Sequence, residues 1–368
     1  MFRKRTIYTL SVMALLTGRC KYSLGDGGYD LARFREDAEL SSVPDELRGI
    51  VPTNGEAARA ISAQNDGGDL RFVIIGDTIS DNNETFRTFL DEIATLDPRP
   101  SFIVHLGDRV VSPVVDYYGT YLRTISDPPC PILHVDGNHD VREEGERISR
   151  AFFGDKDFFF DRDDMRFVFM SNVHRDGDFG FSREQLGWLE DKLKAPYPSR
   201  KFFFAHVPPK APFKRINPGL SSLFTPRLEN EGEFLDILAR HNVVLAAFGH
   251  RHVHATMVYN GVLMVITGGG GQRNFLEPAV DEPRFTKKNH YTLVEIPTSG
   301  PNEPFEGVLS CMGKGNETLS ISSFFQASPF ANGGDISVAL RPYPASAGGP
   351  FRPGNPASMR LGSSSRTP

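Results

Sequence analysis

The segment Cys130–Asp140, CPILHVDGNHD, ends an apolar run with an amide, an imidazole and a carboxylate in direct succession. Core packing does not require Asn138, His139 and Asp140 at the end of a strand. Side chains of these types serve as metal ligands and as acid–base groups. The segment therefore suggests the hypothesis of a metal site that binds and cleaves a phosphate ester.

Four other apolar runs end in a similar way. RFVIIGD ends at Asp77, SFIVHLGD at Asp108, KFFFAH at His206, and VVLAAFGHRH at His250 and His252. Ligands bind beyond the carboxyl ends of strands in an open α/β sheet, so we expect these side chains to meet. The mixed oxygen and nitrogen set suits Mn, Fe or Zn better than Ca or Mg. A carboxylate among them can bridge two cations that clamp a phosphate.

Short runs rich in Val, Ile and Phe alternate with helical patterns along the middle of the chain. The runs predict buried strands, and apolar spacing predicts helices over Glu84–Leu96, Gly119–Ile125 and Ser182–Leu193. The last of these begins with a capping box, and the pair Asn260-Gly261 predicts a type I′ hairpin. Alternating strands and helices indicate an α/β core.

The order of the polar blocks, GD…GD…GNHD…H…GHxH, resembles the signature of the calcineurin-like metallophosphoesterases, a superfamily that includes the purple acid phosphatases. The resemblance extends over Arg71–Pro297, and it is specific because the blocks occur together in the family order. It implies an α/β fold built as a four-layer αββα sandwich. In such a sandwich two mixed β-sheets lie face to face and helices flank them.

The resemblance also implies a role for each polar residue. The first metal would be held by Asp77, Asp108 and His252, and the second by Asp108, Asn138, His206 and His250. His139 would act on the phosphate or the leaving group as an acid or an electrostatic stabiliser, with Asp140 orienting its ring. The implied cofactors are one or two divalent ions, Mn, Fe or Zn. The implied nucleophile is a metal-bound hydroxide.

The first block departs from the family pattern. Most members have Asp-x-His there, whereas this chain has Ile79 in the place of the histidine. Purple acid phosphatases use a tyrosine three residues after the bridging aspartate instead, and that position is Val111 here. Waters, or a nearby group such as Ser80, Asp81 or Asn82, could complete the first site. We therefore expect the first metal to bind more weakly than the second, and a resting state with a single metal is compatible with the sequence.

The ends of the chain differ in composition from the middle. Residues 1–19 join a basic cluster to a short apolar run, which is typical of an export signal and too short to span a membrane. We therefore expect an exported protein, periplasmic or extracellular. Cys20 is a candidate for a lipid tether, although Arg19 stands where a lipobox has a small residue. Residues 20–69 are predicted to be an N-terminal extension, 70–326 the metallophosphoesterase domain, and 327–368 a disordered tail rich in Pro, Gly and Ser.

Four polar residues near the blocks are ambiguous. His105 and His134 lie inside predicted strands, which favours packed histidines over metal ligands. His254 extends the last block, where it would either contact substrate or occupy a surface or hairpin position. Arg109 follows the bridging aspartate and would either neutralise phosphate or form a surface ion pair.

Two further features have structural alternatives. Cys130 and Cys311 could form a disulfide in an exported protein, or they could be two buried thiols. The run TGGGGQ, Thr267–Gln272, lacks the lysine of a phosphate-binding P-loop, which favours tight packing beside the metal loops.

The charge balance narrows the substrate classes. The chain has 41 basic and 46 acidic residues and a net charge of −5, so a nucleic acid is not favoured as a partner. The predicted function is metal-dependent hydrolysis of a small phosphate ester. One alternative is cleavage of phosphodiesters or pyrophosphates of nucleotides or lipid head groups. Another is a weakly active binding protein on the same scaffold, because Ile79 replaces the family's histidine.

Overall fold

The computed structural model describes residues 44, 47, 49–64, 69–79, 83–213, 227–271, 285–286, 288–297, 305–328 and 337–342. The predicted export signal, Cys20 and most of the predicted N-terminal extension lie outside these ranges. Over the ranges given, no helix combines the length and apolarity needed to cross a bilayer.

Fourteen strands and eight α-helices make up the described chain. The strands are β1 (Leu70–Ile75), β2 (Phe102–His105), β3 (Ile132–His134), β4 (Phe158–Arg162), β5 (Met165–Phe169), β6 (Arg200–Phe204), β7 (Val243–Phe248), β8 (His254–Tyr259), β9 (Val262–Thr267), β10 (Phe285–Thr286), β11 (Tyr291–Ile296), β12 (Phe305–Met312), β13 (Thr318–Ser328) and β14 (Ser337–Pro342). The helices are α1 (Asn54–Ser62), α2 (Glu84–Ala94), α3 (Val115–Thr124), α4 (Asn138–Val141), α5 (Gly145–Phe153), α6 (Arg183–Leu193), α7 (Lys210–Phe213) and α8 (Glu231–Arg240).

The strands form two seven-stranded sheets. Sheet 1 has the order β14-β13-β12-β11-β1-β2-β3, and sheet 2 has the order β10-β8-β9-β7-β6-β5-β4. In sheet 1, β1, β2 and β3 are parallel, while β11 to β14 join antiparallel. In sheet 2, β5, β6, β7 and β9 are parallel, with antiparallel pairs at both edges. Both sheets are therefore mixed.

A layer of phenylalanine side chains separates the two sheets. Phe72 and Phe102 of sheet 1 stack with ring centroids 5.0 Å apart, and Phe167 and Phe202 of sheet 2 stack at 4.9 Å. The ring of Phe72 meets that of Phe167 edge-on at 5.9 Å. These aromatic contacts join the inner faces of the sheets in one buried cluster.

Helices cover the outer face of each sheet. The apolar sides of α2, α3 and α5 pack on sheet 1, and those of α6 and α8 pack on sheet 2. The layers are therefore helix, sheet, sheet and helix, which confirms the predicted αββα sandwich of two mixed sheets.

Local signals in the sequence set several element ends. The Ser182 hydroxyl accepts a hydrogen bond from Gln185 N at 3.2 Å, and Ser182 N donates to Gln185 Oε1 at 3.0 Å, so the predicted capping box is present. Asn260 and Gly261 have φ values of 48° and 79°, as the predicted type I′ turn requires. The helix predicted over Gly119–Ile125 begins one turn earlier, at Val115.

The structure corrects two predicted boundaries. Helix α1 lies in the predicted extension 20–69, where Thr53 and Glu56 form a capping box and Ile61 is fully buried in the core between the sheets. Strand β14 lies in the predicted disordered tail 327–368 and pairs with β13. Backbone hydrogen bonds to an existing sheet edge stabilise this strand, and composition does not record them.

Candidate metal centre

Tight turns at strand ends bring the predicted ligands together. Asp77, Asp108 and His250 follow their strands in the left-handed conformation, with φ values of 58°, 55° and 64°. This conformation is uncommon for residues other than glycine and turns the chain sharply. Backbone hydrogen bonds join the turns, from Asp77 N to Gly107 O at 3.0 Å and from Gly249 N to His206 O at 2.8 Å. The side chains are thereby held on a network of backbone contacts.

One group of side chains matches the predicted second metal site. Ligand atoms of Asp108, His206 and His250 lie within 4.8 Å of one another. Asn138 Oδ1 lies 2.9 Å from His250 Nδ1 and 3.2 Å from His206 Nε2. His206 Nε2 is 3.4 Å from Asp108 Oδ1. All four predicted ligands of this site are therefore in contact.

A second group contains the predicted first-site residues. Asp77 Oδ2 accepts a hydrogen bond from His250 N at 2.9 Å, and Asp77 Oδ1 lies 3.4 Å from His252 Nε2. Asp77 Oδ1 is buried and has no hydrogen-bond partner among the described residues. Ile79 is buried and offers no donor atom, and Val111 does not either. Within the described chain, the first site therefore has fewer potential protein ligands than the second. Ser80, Asp81 and Asn82 lie outside the described residues.

The electrostatics of the cluster favour a bound cation. Burial raises the pKa of the Asp77 carboxyl. Burial also acts against ionised Asp108, but the nearby His206 and His139 hold its pKa well below the usual range. Burial disfavours the charged form of His206, yet Asp108 raises its pKa to about 9. A proton on His206 thus partly neutralises the carboxylates, and a divalent cation would do so more fully.

The tautomer of His206 suits a metal ligand. His206 Nδ1 lies 2.7 Å from the Leu106 carbonyl oxygen and donates its proton to it. The remaining nitrogen, Nε2, faces Asp108 and Asn138. A histidine that donates one ring proton to a backbone carbonyl and presents the other nitrogen is typical of metal sites. The residues present therefore fit one or two divalent metals, with a mixed oxygen and nitrogen set.

His139 lies beside this cluster with its ring held by the backbone. Its Nδ1 is 2.9 Å from the Val111 carbonyl oxygen, and the backbone N–H of His139 donates to Asp108 Oδ1 at 2.9 Å. The side chain is half-buried. Among the described residues these contacts leave Nε2 available for a substrate.

Asp140 does not have the predicted contact with the His139 ring. Its carboxylate is fully buried and accepts backbone N–H groups from Asp108 at 2.8 Å, Arg109 at 2.9 Å and Gly137 at 2.8 Å. The prediction that Asp140 orients His139 is therefore wrong. Asp140 instead fixes the loop that carries Asp108. Burial raises the pKa of Asp140, and the Arg109 guanidinium opposes this shift.

Arg109 fulfils neither of its predicted roles. The side chain is 1% exposed, so it forms no surface ion pair. Its guanidinium donates to Asp136 at 2.5 Å and to Ser149 at 2.9 Å, and it lies 4.5 Å from the centroid of the Phe153 ring. Together with Asp140 these groups form a buried polar network beneath the Asp108 loop.

The other histidines and the described cysteines that the sequence singles out are buried. His105 Nε2 lies 3.0 Å from Thr78 Oγ1, and His134 Nε2 lies 3.0 Å from the Tyr121 hydroxyl, which confirms that both histidines are packed in the core. His254 lies in the β8–β9 hairpin, as one of its predicted alternatives had it, paired with Thr267. It is fully buried, so the predicted surface position is wrong. Cys130 and Cys311 are both buried free thiols rather than a disulfide.

The glycine run after β9 packs tightly, as predicted. A Cβ atom on Gly268 would lie 2.6 Å from Asp77 Oδ2, and one on Gly270 would lie 2.5 Å from Gly76 O. The run therefore has no space for side chains where it passes the metal loops.

One contact is absent from the sequence-based prediction because no local signal marks it. Asn172 Oδ1 accepts hydrogen bonds from His206 N at 3.2 Å and Val207 N at 3.0 Å, and Asn172 Nδ2 donates to Val207 O at 2.7 Å. The amide thus positions the His206 loop from the neighbouring strand end.

Gly137→Ala is expected to destabilise the protein by about 1–3 kcal/mol, because overpacking at a rigid contact forces the backbone to move. The new methyl would collide with the backbone nitrogen and carboxylate of Asp108. Gly187→Ala is the matched control, because that exposed helical glycine has nothing within 4 Å of its Cβ position. The control should gain roughly 0.5–1 kcal/mol. Equal effects of both variants on the free energy of urea unfolding would contradict this account of Gly137.

Comparisons with known protein families and solved structures agree with the fold and with the cluster of predicted metal ligands. The family model for the calcineurin-like phosphoesterase matches residues 70–254. A purple acid phosphatase from yellow lupin (Lupinus luteus) seeds is similar in structure, with a TM-score of 0.54 and 14% identity over 68% of this chain and 52% of the lupin chain. This chain thus spans about half the length of the lupin enzyme.

A second solved structure has the same fold. GAP50, described as the anchor in the inner membrane complex of Plasmodium, has a TM-score of 0.53 and 12% identity, over 74% of this chain and 90% of GAP50. A search of curated protein sequences finds no match. The structural neighbours agree with the αββα sandwich, and the family model spans every predicted metal ligand. The chain therefore belongs to the calcineurin-like phosphoesterase family.

Proposed function

We propose that this protein is a metal-dependent hydrolase of small phosphate esters. The observation that carries the proposal is the position of Asp108. Its Oδ1 atom lies 3.4 Å from His206 Nε2 and accepts the His139 N–H at 2.9 Å. Asp108 thus contacts the predicted ligand His206 with its carboxylate and also holds the backbone of the residue that carries the predicted acid. This places the predicted metal ligands and the predicted acid in one cluster, which metal-assisted cleavage of a phosphate ester would use.

The chain would hold its metals with side chains from both sheets. Asp77, Asp108 and His252 would hold the first, and Asp108, Asn138, His206 and His250 the second. When bound, such divalent ions act as Lewis acids on a phosphoryl oxygen and make water more acidic. Mn, Fe and Zn are the candidates that suit this donor set.

His139 has the position expected of a group that serves the leaving oxygen. In the proposed hydrolysis a water oxygen attacks phosphorus opposite the ester oxygen, and the phosphorus–ester bond breaks. His139 donates its Nε2 proton to the departing oxygen, which leaves as an alcohol, and a proton of the attacking water returns to His139 through solvent. The Val111 carbonyl fixes the ring during this transfer, because it accepts the Nδ1 proton.

The net charge and the predicted export signal favour one class of substrate and one location. Residues 1–19 contain four basic and no acidic residues, so removal of an export signal would change the net charge from −5 to −9. A nucleic-acid enzyme usually has a basic groove, and this charge favours small esters instead. We propose an exported protein, periplasmic or extracellular, with Cys20 as the candidate site of a lipid tether.

The full chain, stripped of metal by a chelator, is expected to gain turnover when Mn²⁺ is restored. The measurement is release of p-nitrophenol from mono- and bis-nitrophenyl phosphate, with Asp108→Asn purified in parallel to detect contaminating phosphatase. A faster monoester supports the proposed substrate class. A faster diester would instead favour phosphodiester or pyrophosphate substrates such as nucleotides or lipid head groups.

A second candidate function is binding without efficient catalysis. Ile79, in the position of the family's histidine, favours it, because the first site then has fewer ligands. GAP50, which has the same fold, is described as an anchor. No turnover with Mn²⁺, Fe²⁺ or Zn²⁺, together with one metal per chain by elemental analysis, would favour this candidate over the hydrolase.

A further inference from the structure

A second cluster of potential metal ligands shares no residue with the proposed phosphoesterase centre. His254, His290 and Cys311 are all fully buried. Each offers one nitrogen or sulfur atom, and these three atoms lie within 4.8 Å of one another. The rings of His254 and His290 meet edge-on, with centroids 5.4 Å apart. None of these residues takes part in the proposed hydrolysis.

Hydrogen bonds determine which nitrogen each histidine presents. His290 Nδ1 lies 2.8 Å from the Lys288 carbonyl oxygen, so it must donate its proton there. His254 Nδ1 lies 3.3 Å from the Thr292 hydroxyl oxygen, and that hydroxyl donates to Thr267 Oγ1 at 3.0 Å. The Thr292 oxygen therefore accepts from His254. Both histidines keep a lone pair on Nε2, as metal-bound histidines do.

The two Nε2 atoms lack partners. Each is buried without a hydrogen-bond partner among the described residues. A buried polar atom without a partner costs free energy of about 1–3 kcal/mol, so two in one cluster require an explanation. The Cys311 thiol has one proton and could satisfy only one of them. A cation bound by both nitrogens and the sulfur would satisfy all three groups together.

We propose that His254, His290 and Cys311 bind one zinc ion. Two imidazole nitrogens and a thiolate are ligands that zinc prefers, whereas hard cations such as Mg²⁺ prefer oxygen. As the zinc–sulfur bond forms, the Cys311 thiol releases its proton to solvent, and no electron is transferred. The site is distinct from the phosphoesterase centre, whose predicted ligands are oxygen and imidazole groups.

The ionisation of the cluster is consistent with this site. Burial lowers the pKa of His290 to about 4, so the ring is neutral at physiological pH. Burial raises the pKa of the Cys311 thiol, so zinc competes with a proton for the sulfur.

The location of the cluster gives the ion a structural role. His254 begins β8 in sheet 2, whereas Cys311 lies on β12 and His290 precedes β11 in sheet 1. One bound ion would therefore connect the two sheets. It would also support the glycine run, because Gly269 packs against the His290 ring and Gly268 against Asp77.

Cobalt provides a spectroscopic test that does not depend on catalysis. The full chain is produced in minimal medium that contains Co²⁺ in place of zinc, so that the ion is present during folding. Wild type is expected to have a near-ultraviolet thiolate-to-cobalt charge-transfer band. Cys311→Ala should lose the band, and Cys130→Ala, which removes the other described buried thiol, should retain it. In zinc medium, Cys311→Ala should contain one fewer zinc per chain than Cys130→Ala.

Two results would overturn the proposal. One is wild-type protein that binds Co²⁺ without the thiolate band. The other is a band that persists in Cys311→Ala, because the sulfur would then come from another cysteine. The Asp108→Asn variant should retain the band even if it loses turnover, so failure of the proposed hydrolysis and failure of the zinc site are separable. His290→Gln provides an independent variant that should also lose the band.

Discussion

Asp108→Asn is expected to lower kcat on nitrophenyl phosphate by about 10³-fold or more, since metal ions supply several kcal/mol of charge stabilisation and each 1.36 kcal/mol is tenfold in rate. The substitution preserves the volume of the side chain and its ability to accept the His139 N–H. It removes the negative charge that attracts His206, whose Nε2 lies 3.4 Å from Asp108 Oδ1. It also weakens the side chain as a ligand for divalent cations. The loss should therefore appear in catalysis and metal content. The free energy of unfolding should fall as well, because buried His206 loses the carboxylate that stabilises its charged form.

Asp127→Asn is the matched control for this variant. Asp127 is exposed in a turn after α3, so loss of its charge should leave kcat and metal content unchanged. The measurements are steady-state turnover, elemental analysis for bound metal, and urea unfolding on both proteins. Wild-type turnover in Asp108→Asn, at wild-type metal content, would remove Asp108 from the proposed centre.

Asp140→Ala is expected to lower the free energy of unfolding by about 3–5 kcal/mol, the range for breaking a buried ion pair by removing one partner. The buried carboxylate accepts N–H groups from Asp108, Arg109 and Gly137, all of which would lose a partner. Arg109 would retain Asp136 but lose its second carboxylate at 3.4 Å. Turnover should fall as well, because the loop that carries Asp108 loses its support.

His139→Ala tests whether Asp140 acts on the Asp108 loop rather than on the His139 ring. His139 is half-buried and serves the leaving oxygen in the proposed reaction, so its loss should lower kcat and change stability by less than about 1 kcal/mol. Urea unfolding and turnover are measured on both variants. If Asp140→Ala instead had wild-type stability and the same kinetic defect as His139→Ala, the role predicted from sequence, orientation of the ring, would be correct.

The sequence predicts much of the architecture because the signals are local. Apolar runs with polar ends mark the strands whose turns meet at the centre. The capping box at Ser182 and the pair Asn260-Gly261 each depend on neighbouring residues, and both appear as predicted. Parallel strand order brings Asp108 and Asn138 to one sheet edge, and His206 and His250 to the edge of the other sheet. The meeting of the two pairs depends on how the sheets pack face to face, which the resemblance to the family implies.

Roles that depend on side-chain direction are not available from sequence. Asp140 follows His139 in the chain, which suggests a pair, yet the short helix α4 turns the carboxylate inward to the Asp108 loop. Arg109 follows Asp108 but enters the core, where Asp136 and Ser149 are its partners. Strand β14 is missed because composition does not record an available sheet edge. Helix α1 is missed because the composition of its segment outweighs the local signal in the prediction, although Thr53 and Glu56 have the spacing of a capping box.

The phenylalanine layer between the sheets helps to set the distance between the metal ligands that the two sheets carry. Asp77, Asp108 and Asn138 follow strands of sheet 1, whereas His206 and His250 follow strands of sheet 2. The distance between these two groups of ligands therefore depends on the thickness of the phenylalanine layer between the sheets. A thinner or thicker layer would shift one half of the centre against the other. For the proposed hydrolase, the size of the buried aromatic rings, as well as the ligands, would therefore matter to the metal centre.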